Sequence, residues 1–255
     1  MSNYAKELEV AQAIAREAGV IMLEYFDADQ KVETKADKSA VTIADKLINS
    51  LAIKRLAEAF PADDVIGEEE SRGEYGLGRK WFCDPIDGTA RYIAGEPTAM
   101  FSLGLVVDGK PAMGVAYDPF LDRMYVGVAG EPSLCNGQAI SVSKDDFKSG
   151  RFAVSGSMKA LFSLVYFKRM IDDGIRCTPS NGAVHTMCLI ARGKLVGYIE
   201  YGLNAYDMAA AHLILEGAGG KVTSLEGKEL DYSKPFRGAI MSNGIMHDEI
   251  IRYNS

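Results

Sequence analysis

The stretch WFCDPIDGT, residues 81–89, places two carboxylates three positions apart directly after an apolar segment. The first three residues suit a buried strand, so the strand is expected to end where Asp84 and Asp87 begin. Two like charges this close destabilise a partly buried site by several kcal/mol unless something offsets them. Either one carboxylate stays protonated, or a hard divalent cation binds between the two.

The residues around the two carboxylates favour the cation. Pro85 fixes φ and has no N–H, which leaves carbonyl groups, including that of Ile86, free to face a metal. Gly88 permits a turn that a Cβ would obstruct, and Gly88-Thr89 would open the next segment, where free N–H groups favour an anion. The stretch can therefore place a cation and a phosphate side by side. A tight surface turn, with the two acids as Asx-turn or N-cap residues, is the alternative.

Two other parts of the chain carry acids in similar settings. Glu68-Glu69-Glu70 follows a short strand predicted at 64–67, and a solvated charge run is its alternative interpretation. Asp207 is predicted at the start of an apolar helix, where an acid also complements the helix dipole. Together with the 81–89 stretch, these acids could cage two or three Mg²⁺ ions.

Thr42 and Asp45 form a T-x-x-D pattern at the start of a predicted helix. This pattern is typical of a capping box. Because functional sites often gather at helix ends, Asp45 is also a candidate to point into the acidic site and orient a water molecule. The two roles are compatible with each other.

The composition is that of an ordinary globular protein. The chain has 255 residues, of which 47% are hydrophobic and 25% charged, and this argues against disorder. Its net charge of −7 argues against binding along a nucleic-acid backbone. No apolar run is long enough to span a bilayer, so no membrane partner is expected. The four cysteines form no CxxC pair and are interpreted as reduced, which predicts a cytoplasmic protein.

Hydrophobic periodicity predicts a change of architecture along the chain. Helices are predicted at 4–25 and 42–60, separated by a polar loop at 27–41. An antiparallel meander is predicted at 98–130. Strands and helices alternate afterwards, with a helix at 157–173.

These elements predict two halves. Residues 1–145 would form an N-terminal α+β half that carries most of the acids. Residues 146–255 would form a smaller C-terminal α/β half that completes the site.

Three blocks of sequence, in this order, resemble the inositol monophosphatase family, within the lithium-sensitive, Mg²⁺-dependent phosphatases. The blocks are Gly67-Glu68-Glu69, DPIDGT at 84–89, and YDMAA at 206–210, which is followed by EGAGG at 216–220. Weaker matches extend the resemblance over nearly the whole chain. It implies a layered αβαβα sandwich, a phosphoric monoester hydrolase activity and a homodimer.

The resemblance also implies roles for individual residues. The implied metal ligands, for two or three Mg²⁺ ions that Mn²⁺ could replace, are Glu68, Asp84, the Ile86 carbonyl, Asp87 and Asp207. The implied catalytic residues, which hold or position the attacking water, are Asp45, Glu69 and Thr89. The implied substrate contacts are Asp87, Gly88, Thr89, Ala183 and Glu200, with Lys35 as an accessory residue near the site.

Three positions depart from the pattern of the family. Tyr206 stands where a Trp is usual, Arg91-Tyr92 replaces a common Asn-Phe pair, and 181–184 reads Asn-Gly-Ala-Val in place of a Gly-Thr/Ser-Ala-Ala stretch. These changes leave the implied metal ligands intact and affect the substrate pocket. Arg91 could meet a second anionic group of the substrate, or it could be an ordinary surface residue.

The predicted function is Mg²⁺-dependent hydrolysis of a small polyol or sugar phosphate, similar to inositol 1-phosphate, by metal-activated water. Other substrates of the family remain open, namely fructose 1,6-bisphosphate, histidinol phosphate and 3′-phosphoadenosine 5′-phosphate. A haloacid-dehalogenase-type phosphatase would carry D-x-D-G-T, whereas the spacing here is D-x-x-D-G-T. A non-catalytic role in a transcription complex is the remaining alternative.

Overall fold

The fold is that of a computed structural model, which describes residues 3–28, 32–34 and 40–254. The helices in these ranges are α1 (Ala5–Tyr25), α2 (Ile43–Ala59), α3 (Thr89–Ile93), α4 (Met158–Leu161), α5 (Val165–Asp172), α6 (Ala183–Ala191), α7 (Ala209–Gly217) and α8 (His247–Asn254). The strands are β1 (Glu33–Thr34), β2 (Ala40–Val41), β3 (Asp64–Gly67), β4 (Ser71–Arg72), β5 (Arg79–Asp87), β6 (Met100–Val107), β7 (Lys110–Asp118), β8 (Arg123–Val128), β9 (Leu134–Cys135), β10 (Gln138–Ala139), β11 (Phe152–Val154), β12 (Cys177–Pro179), β13 (Gly197–Glu200), β14 (Lys221–Thr223) and β15 (Ala239–Ser242).

Most of these strands belong to two sheets. The larger sheet has the order β10-β9-β8-β7-β6-β5-β3-β4, and its strands are antiparallel neighbours except for the parallel pair β3 and β5. The smaller sheet has the order β12-β11-β13-β15-β14 and is parallel at β12-β11-β13. The strands β6, β7 and β8 form the meander that the sequence predicts.

Helices cover and separate the two sheets. α1 and α2 pack on one face of the larger sheet, around Trp81 and Phe101. α6 and α7 lie between its other face and the smaller sheet, in a core that includes Phe82. α5 and α8 cover the remaining face of the smaller sheet, around Phe152 and Ile240. The order helix, sheet, helix, sheet, helix confirms the expected αβαβα sandwich.

Hydrogen bonds at the start of α2 confirm its capping box. The Thr42 hydroxyl accepts from the Asp45 main-chain N–H at 3.3 Å, and the Asp45 carboxylate accepts from the Thr42 N–H at 2.7 Å. These reciprocal bonds satisfy two N–H groups that a helix end leaves without partners. Both side chains are buried, so the cap lies inside the protein.

β5 runs further than the sequence predicts. Its ladder with β6 continues through the pairs Asp84–Ser102 and Asp87–Met100, with a register shift between them. A β-bulge accounts for this shift, since Pro85 has no N–H to donate and an extra residue bends the strand. Both carboxylates are therefore buried within a strand rather than exposed in a tight surface turn.

α7 packs closely against three glycines of the larger sheet. Gly104, Gly114 and Gly127 lie in register on β6, β7 and β8, and we call them the glycine trough. A Cβ on any of them would stand 2.4–2.6 Å from a main-chain atom of α7. The three alanines that begin the helix, 209–211, keep its own surface small at the same place. Main chain of α7 therefore packs directly on main chain of the larger sheet.

Two helix boundaries differ from the sequence predictions. The predicted helix at 157–173 is divided into α4 and α5, because Leu164 is extended and the Ser163 hydroxyl donates to the Ala160 carbonyl at 2.6 Å. Asp207 does not lie in a helix, since α7 begins two residues later.

The segment predicted as a polar loop at 27–41 contains the antiparallel ribbon of β1 and β2 in its described part. Lys35 lies outside the described residues.

The predicted boundary near residue 145 falls between the two sheets, while α6 and α7 of the second half pack on the sheet of the first. The division into halves stays a prediction. All four cysteines are free, and Cys83 and Cys188 are buried. In the described ranges, no helix has both the length and the apolar character to cross a membrane.

Candidate active site

A cavity of about 660 Å³ opens where β5 ends. Its wall combines the end of β5, the start of α3, the N-terminus of α6 and the segment before α7. The predicted site residues that line it are Glu68, Asp84, Ile86, Asp87, Gly88, Thr89, Arg91, Ala183, Glu200 and Asp207. Asp45 and Glu69 are not among the lining residues.

Asp84 is deeply buried at the floor of this cavity. It is 2% exposed, and its Oδ1 atom has no hydrogen-bond partner among the described residues. Burial raises the pKa of this carboxyl well above its usual range, and the neighbouring charge of Glu68 raises it further. A buried carboxylate oxygen without a donor destabilises the fold. A bound cation would relieve this cost.

Asp87 faces the N-terminus of α6. Its Oδ2 atom accepts from the His185 main-chain N–H at 2.9 Å, and the N–H groups of Val184 and Ala183 also interact with the carboxylate. Burial raises the pKa of Asp87 to about 6, although these N–H groups favour the ionised form. Ala183 is expected to contact the substrate, and its main chain contacts the carboxylate of Asp87.

Two glycines allow this close approach. A Cβ at Gly182 would stand 2.3 Å from Asp87 Oδ2, and a Cβ at Gly88 would stand 2.4 Å from the Asn181 carbonyl oxygen. Gly88 also has a φ of 86°, which favours glycine. The Asp-Gly pair that ends β5 and the Asn-Gly pair before α6 therefore pack against each other.

Asp207 lies on a turn just before α7. Its Oδ2 atom accepts from the Asn204 main-chain N–H at 2.6 Å. Burial raises the pKa of Asp207 well above its usual range; the Asn204 bond opposes this shift and the charge of Glu68 adds to it. Asp207 precedes by two residues the helix that packs on the glycine trough.

Glu68 and Glu69 lie on a turn that follows β3. The Glu68 N–H donates to the Cys83 carbonyl at 3.1 Å and so continues the pairing of β3 with β5. Asn49 of α2 accepts from the Glu69 N–H at 3.4 Å and donates to the Glu70 carbonyl at 2.9 Å. Glu68 lines the main cavity, whereas Glu69 lines a neighbouring one. The two consecutive acids therefore face different spaces.

Asp45 reaches the cavity wall through Thr89. The Thr89 hydroxyl lies 3.0 Å from the Ile86 carbonyl oxygen and 3.4 Å from Asp45 Oδ1. Burial raises the pKa of Asp45 to about 6, its bonds with Thr42 oppose the shift, and the charge of Glu68 adds to it. The cap of α2 is thus connected to the end of β5.

Two charged residues line the outer part of the cavity. Glu200 accepts from the Tyr198 hydroxyl at 2.5 Å and from the Tyr201 main-chain N–H at 3.0 Å, so its carboxylate is held in place. Arg91 donates to Glu96 at 3.0 Å, with both side chains partly exposed.

These acids share one cavity without forming a closed metal cage. Among the described residues, no group of three or more His, Cys, Asp and Glu side chains is placed to hold one ion. Asp45, Asp87 and Asp207 each accept from nearby main-chain N–H groups, which stabilise carboxylates that repel one another. The chemistry of the donor set still fits a hard cation, because every donor is an oxygen. The unpaired oxygen of Asp84 is the atom that fits it best.

Comparison with known proteins agrees with the sequence blocks described above. The sequence profile of the inositol monophosphatase family matches residues 3–254. This chain belongs to that family. A fructose-1,6-bisphosphatase/inositol-1-monophosphatase from Aquifex aeolicus is 30% identical over 260 residues, covering 99% of this chain and 96% of that protein. A histidinol-phosphatase from Mycobacterium tuberculosis is 29% identical and covers 96% of each chain. The solved structure of a Thermotoga maritima IMPase has a TM-score of 0.88 at 25% identity, covering 97% of this chain and 96% of that one.

Membership of the inositol monophosphatase family confirms the expected fold and enzyme class. Members are metal-dependent phosphatases that act on phosphate monoesters, so this chain is a phosphoric monoester hydrolase. The blocks that carried the resemblance, 67–69, 84–89 and 206–210, contribute acids to one cavity.

Two asparagines beside the acids of this cavity were not identified from the sequence. Asn49 and Asn204 each hold an acidic turn through main-chain groups. A signal existed for Asn49, since it is a polar residue one helical turn after Asp45 on a buried helix face. Asn204 lies in an irregular segment and has no comparable pattern.

Proposed function

We propose that this chain is a Mg²⁺-dependent phosphomonoesterase that hydrolyses a small polyol or sugar phosphate with an activated water molecule. The observation that carries the proposal is the buried Oδ1 atom of Asp84, which has no hydrogen-bond partner among the described residues and lies in a cavity also lined by Glu68, Asp87 and Asp207. Carboxylate and carbonyl oxygens are the ligands that Mg²⁺ prefers in proteins. The proposed ligands for two or three ions, which Mn²⁺ could replace, are Glu68, Asp84, the Ile86 carbonyl, Asp87 and Asp207.

When bound, Mg²⁺ would polarise the phosphate oxygens and lower the pKa of a coordinated water. The residues of the chain supply orientation. Thr89 Oγ1 can donate its single proton to either the Ile86 carbonyl or Asp45, which leaves its lone pairs able to accept from a water molecule. Glu69 is proposed to hold a second water, and the main-chain N–H groups of Gly88 and Thr89 to hold the phosphate.

The cavity suits a small, mainly neutral alcohol portion of the substrate. Its volume of about 660 Å³ lies in the range typical of small-molecule sites. The carboxylate of Glu200 is positioned by its donors to accept from a substrate hydroxyl. Arg91 already pairs with Glu96, which weakens the alternative of a second phosphate bound there. Fructose 1,6-bisphosphate and histidinol phosphate remain the alternatives, because enzymes with these names are among the relatives.

Several finer expectations belong to the same proposal. The family likeness supports sensitivity to Li⁺ and a homodimer. The four free cysteines support a reducing, cytoplasmic setting. The net charge of −7 supports a small phosphorylated metabolite as partner rather than a nucleic acid or a membrane.

A panel of phosphate esters tests this proposal. Phosphate release from inositol 1-phosphate, fructose 1,6-bisphosphate, histidinol phosphate and 3′-phosphoadenosine 5′-phosphate is measured with and without Mg²⁺ and Li⁺. Hydrolysis should require Mg²⁺ and be inhibited by Li⁺, and Asp87→Asn should lose at least about a hundredfold. Hydrolysis that persists in chelator, or that Asp84→Asn leaves intact, would contradict the proposal.

A further inference from the structure

Asn49 is a buried amide in the middle of α2. It is 1% exposed and lies four residues after Asp45, so both residues face the same side of the helix. Asparagine is a weak helix former, and a buried amide needs partners for its polar atoms. Both partners of Asn49 belong to the turn after β3, namely the Glu69 N–H and the Glu70 carbonyl.

That turn folds tightly onto the amide. A Cβ at Gly67 would stand 2.2 Å from Asn49 Oδ1 and 2.4 Å from the Glu70 carbonyl oxygen. The Ser71 hydroxyl closes the other side, because it accepts from the Gly67 N–H at 3.2 Å. The main chain from 67 to 70 is therefore held between one side chain of α2 and one hydroxyl of β4.

The two main-chain partners of Asn49 require both the carbonyl oxygen and the NH₂ group of its side-chain amide. The Glu69 N–H needs an acceptor and the Glu70 carbonyl needs a donor, and they lie on opposite atoms of Asn49. An aspartate of the same shape would have no proton for the carbonyl and would add a negative charge beside a run of glutamates. An alanine would leave both main-chain groups without these bonds.

We propose that Asn49 is a positioning residue for the metal-binding turn, and that its amide fixes the main chain so that Glu68 faces the main cavity and Glu69 the neighbouring one. This inference rests on the proposed function, since it assumes that both acids act at a metal site. α2 then contributes twice to the site, through Asp45 at its first turn and through Asn49 at its second.

Magnesium binding by the full-length protein tests this role without substrate. Isothermal titration with Mg²⁺ compares the wild type with Asn49→Asp and Asn49→Ala. Residues that orient metal ligands typically change metal affinity about 10–100-fold, and a loss of that size is expected for both variants. In steady-state kinetics, the Mg²⁺ concentration for half-maximal rate should rise by a similar factor, while KM for the ester at saturating Mg²⁺ stays close to wild type.

Asn243 offers a matched control away from the cavity. It is also buried, and its amide donates to the Asp145 carbonyl at 2.9 Å and accepts from the Met246 N–H at 3.1 Å. Asn243→Asp and Asn243→Ala should lower the melting temperature much as the Asn49 variants do, with unchanged Mg²⁺ affinity. An equal loss of Mg²⁺ affinity in both sets would indicate a general structural effect and overturn the inference.

The remaining outcomes separate the inference from the proposed function. Folded Asn49 variants that bind Mg²⁺ like the wild type would overturn the inference alone. A wild type without Mg²⁺ affinity would overturn the proposed function and the inference together. If neither Asn49→Asp nor Asn49→Ala folds, Asn49→Ser, which keeps a donor, is titrated in the same way, with the same expected loss and the same contradicting result.

Discussion

Asp84 combines burial, a neighbouring acid and an oxygen without a hydrogen-bond partner in the described structure. Its ionisation is therefore unfavourable in the metal-free fold, and a cation would reverse that cost. The ionised carboxylate of Asp84 destabilises the folded state when the site lacks a cation and stabilises it when a cation is bound.

The variant Asp84→Asn should be more stable than the wild type in metal-free buffer, by about 1–3 kcal/mol at pH 8. Because burial raises the folded-state pKa of this carboxyl, the cost of ionisation is full above that pKa, decreases as the pH falls below it, and is gone only below the pKa of the unfolded state. The advantage of the variant should therefore shrink on acidification. Urea denaturation with and without Mg²⁺ measures this, and the order should reverse in Mg²⁺; a variant that is less stable in both buffers would contradict it.

Alanine substitutions at Gly88 and Gly95 can distinguish the cost of backbone strain from the cost of a close atomic contact. Both have positive φ, of 86° and 75°. A Cβ at Gly88 would stand 2.4 Å from the Asn181 carbonyl oxygen, whereas a Cβ at Gly95 would have no atom of the described residues within 4 Å. Gly95→Ala should cost about 1 kcal/mol and leave activity close to wild type. Gly88→Ala should lose a further 1–3 kcal/mol or so, with a large loss of activity. Thermal melts and phosphate release measure the two variants, and equal effects would argue against the contact.

The acids that line this cavity could be predicted from the sequence because their chemistry is local. Two carboxylates that follow a buried strand repel each other wherever they occur, so the DPIDGT motif alone indicates that Asp84 and Asp87 belong to a special site. The main-chain groups that orient these acids could not be predicted in the same way. The contact of Asp87 with the N-terminus of α6 joins residues 98 positions apart, and no local pattern encodes such a distance.

The glycine trough governs how α7 meets the larger sheet. Its three residues lie on adjacent strands, and α7 approaches closely enough that side chains are excluded. Asp207 lies two residues before this helix, and Asp84 lies on β5 beside the trough strand β6. We therefore expect the trough to influence the spacing between Asp207 and Asp84.

The substitution Gly114→Ala should displace α7, because its Cβ would stand 2.4 Å from the Ala210 carbonyl oxygen. Overpacking of this kind typically costs about 1–3 kcal/mol. We also expect weaker Mg²⁺ binding, since Asp207 moves with the helix. Thermal denaturation and Mg²⁺ titration measure both effects, and a stable variant with wild-type Mg²⁺ affinity would show that the trough does not position the site.

Elements with strong periodicity were predicted well, and elements shaped by tertiary contacts were not. α1, α2 and the meander follow their hydrophobic patterns to within one or two residues. The continuation of β5 through Pro85 depends on a bulge against β6, and the break between α4 and α5 depends on a hydroxyl bond to the main chain. The periodicity of apolar residues along the sequence predicts neither of these two features.

At the scale of the whole molecule, global stability also depends on buried groups that lie away from the cavity. His247 of α8 is fully buried against β14 and β15, with its ring nitrogens 2.9 Å from the Thr223 hydroxyl and 2.8 Å from the Ser242 hydroxyl. Burial lowers the pKa of His247 to about 4, from an ordinary value of 6.5.

Acid should weaken the fold through His247. Because the folded-state pKa is lowered, the unfolded state binds more protons, and stability falls as the pH drops from about 6.5 towards 4. Between pH 7.5 and pH 5 this one group should cost about 2 kcal/mol. Urea denaturation of the wild type and His247→Gln across this range isolates the contribution, since the buried acids titrate in both proteins. Parallel pH profiles would contradict the expectation.

The five-layer arrangement itself was predicted through family resemblance, because the order of elements along a chain allows several ways of stacking two sheets. The placement of α6 and α7 between the sheets is what brings Asp207 and Ala183 to the end of β5. Packing of this kind depends on shape at contacts such as the trough, which periodicity does not describe.

Contact between two main chains yields less to compression or thermal expansion than contact between flexible side chains. The packing of α7 on its three glycines should therefore keep the distance of Asp207 from the larger sheet nearly constant under hydrostatic pressure and over the working temperature range. The position of this acid would then be a rigid property of the scaffold, retained up to the onset of unfolding.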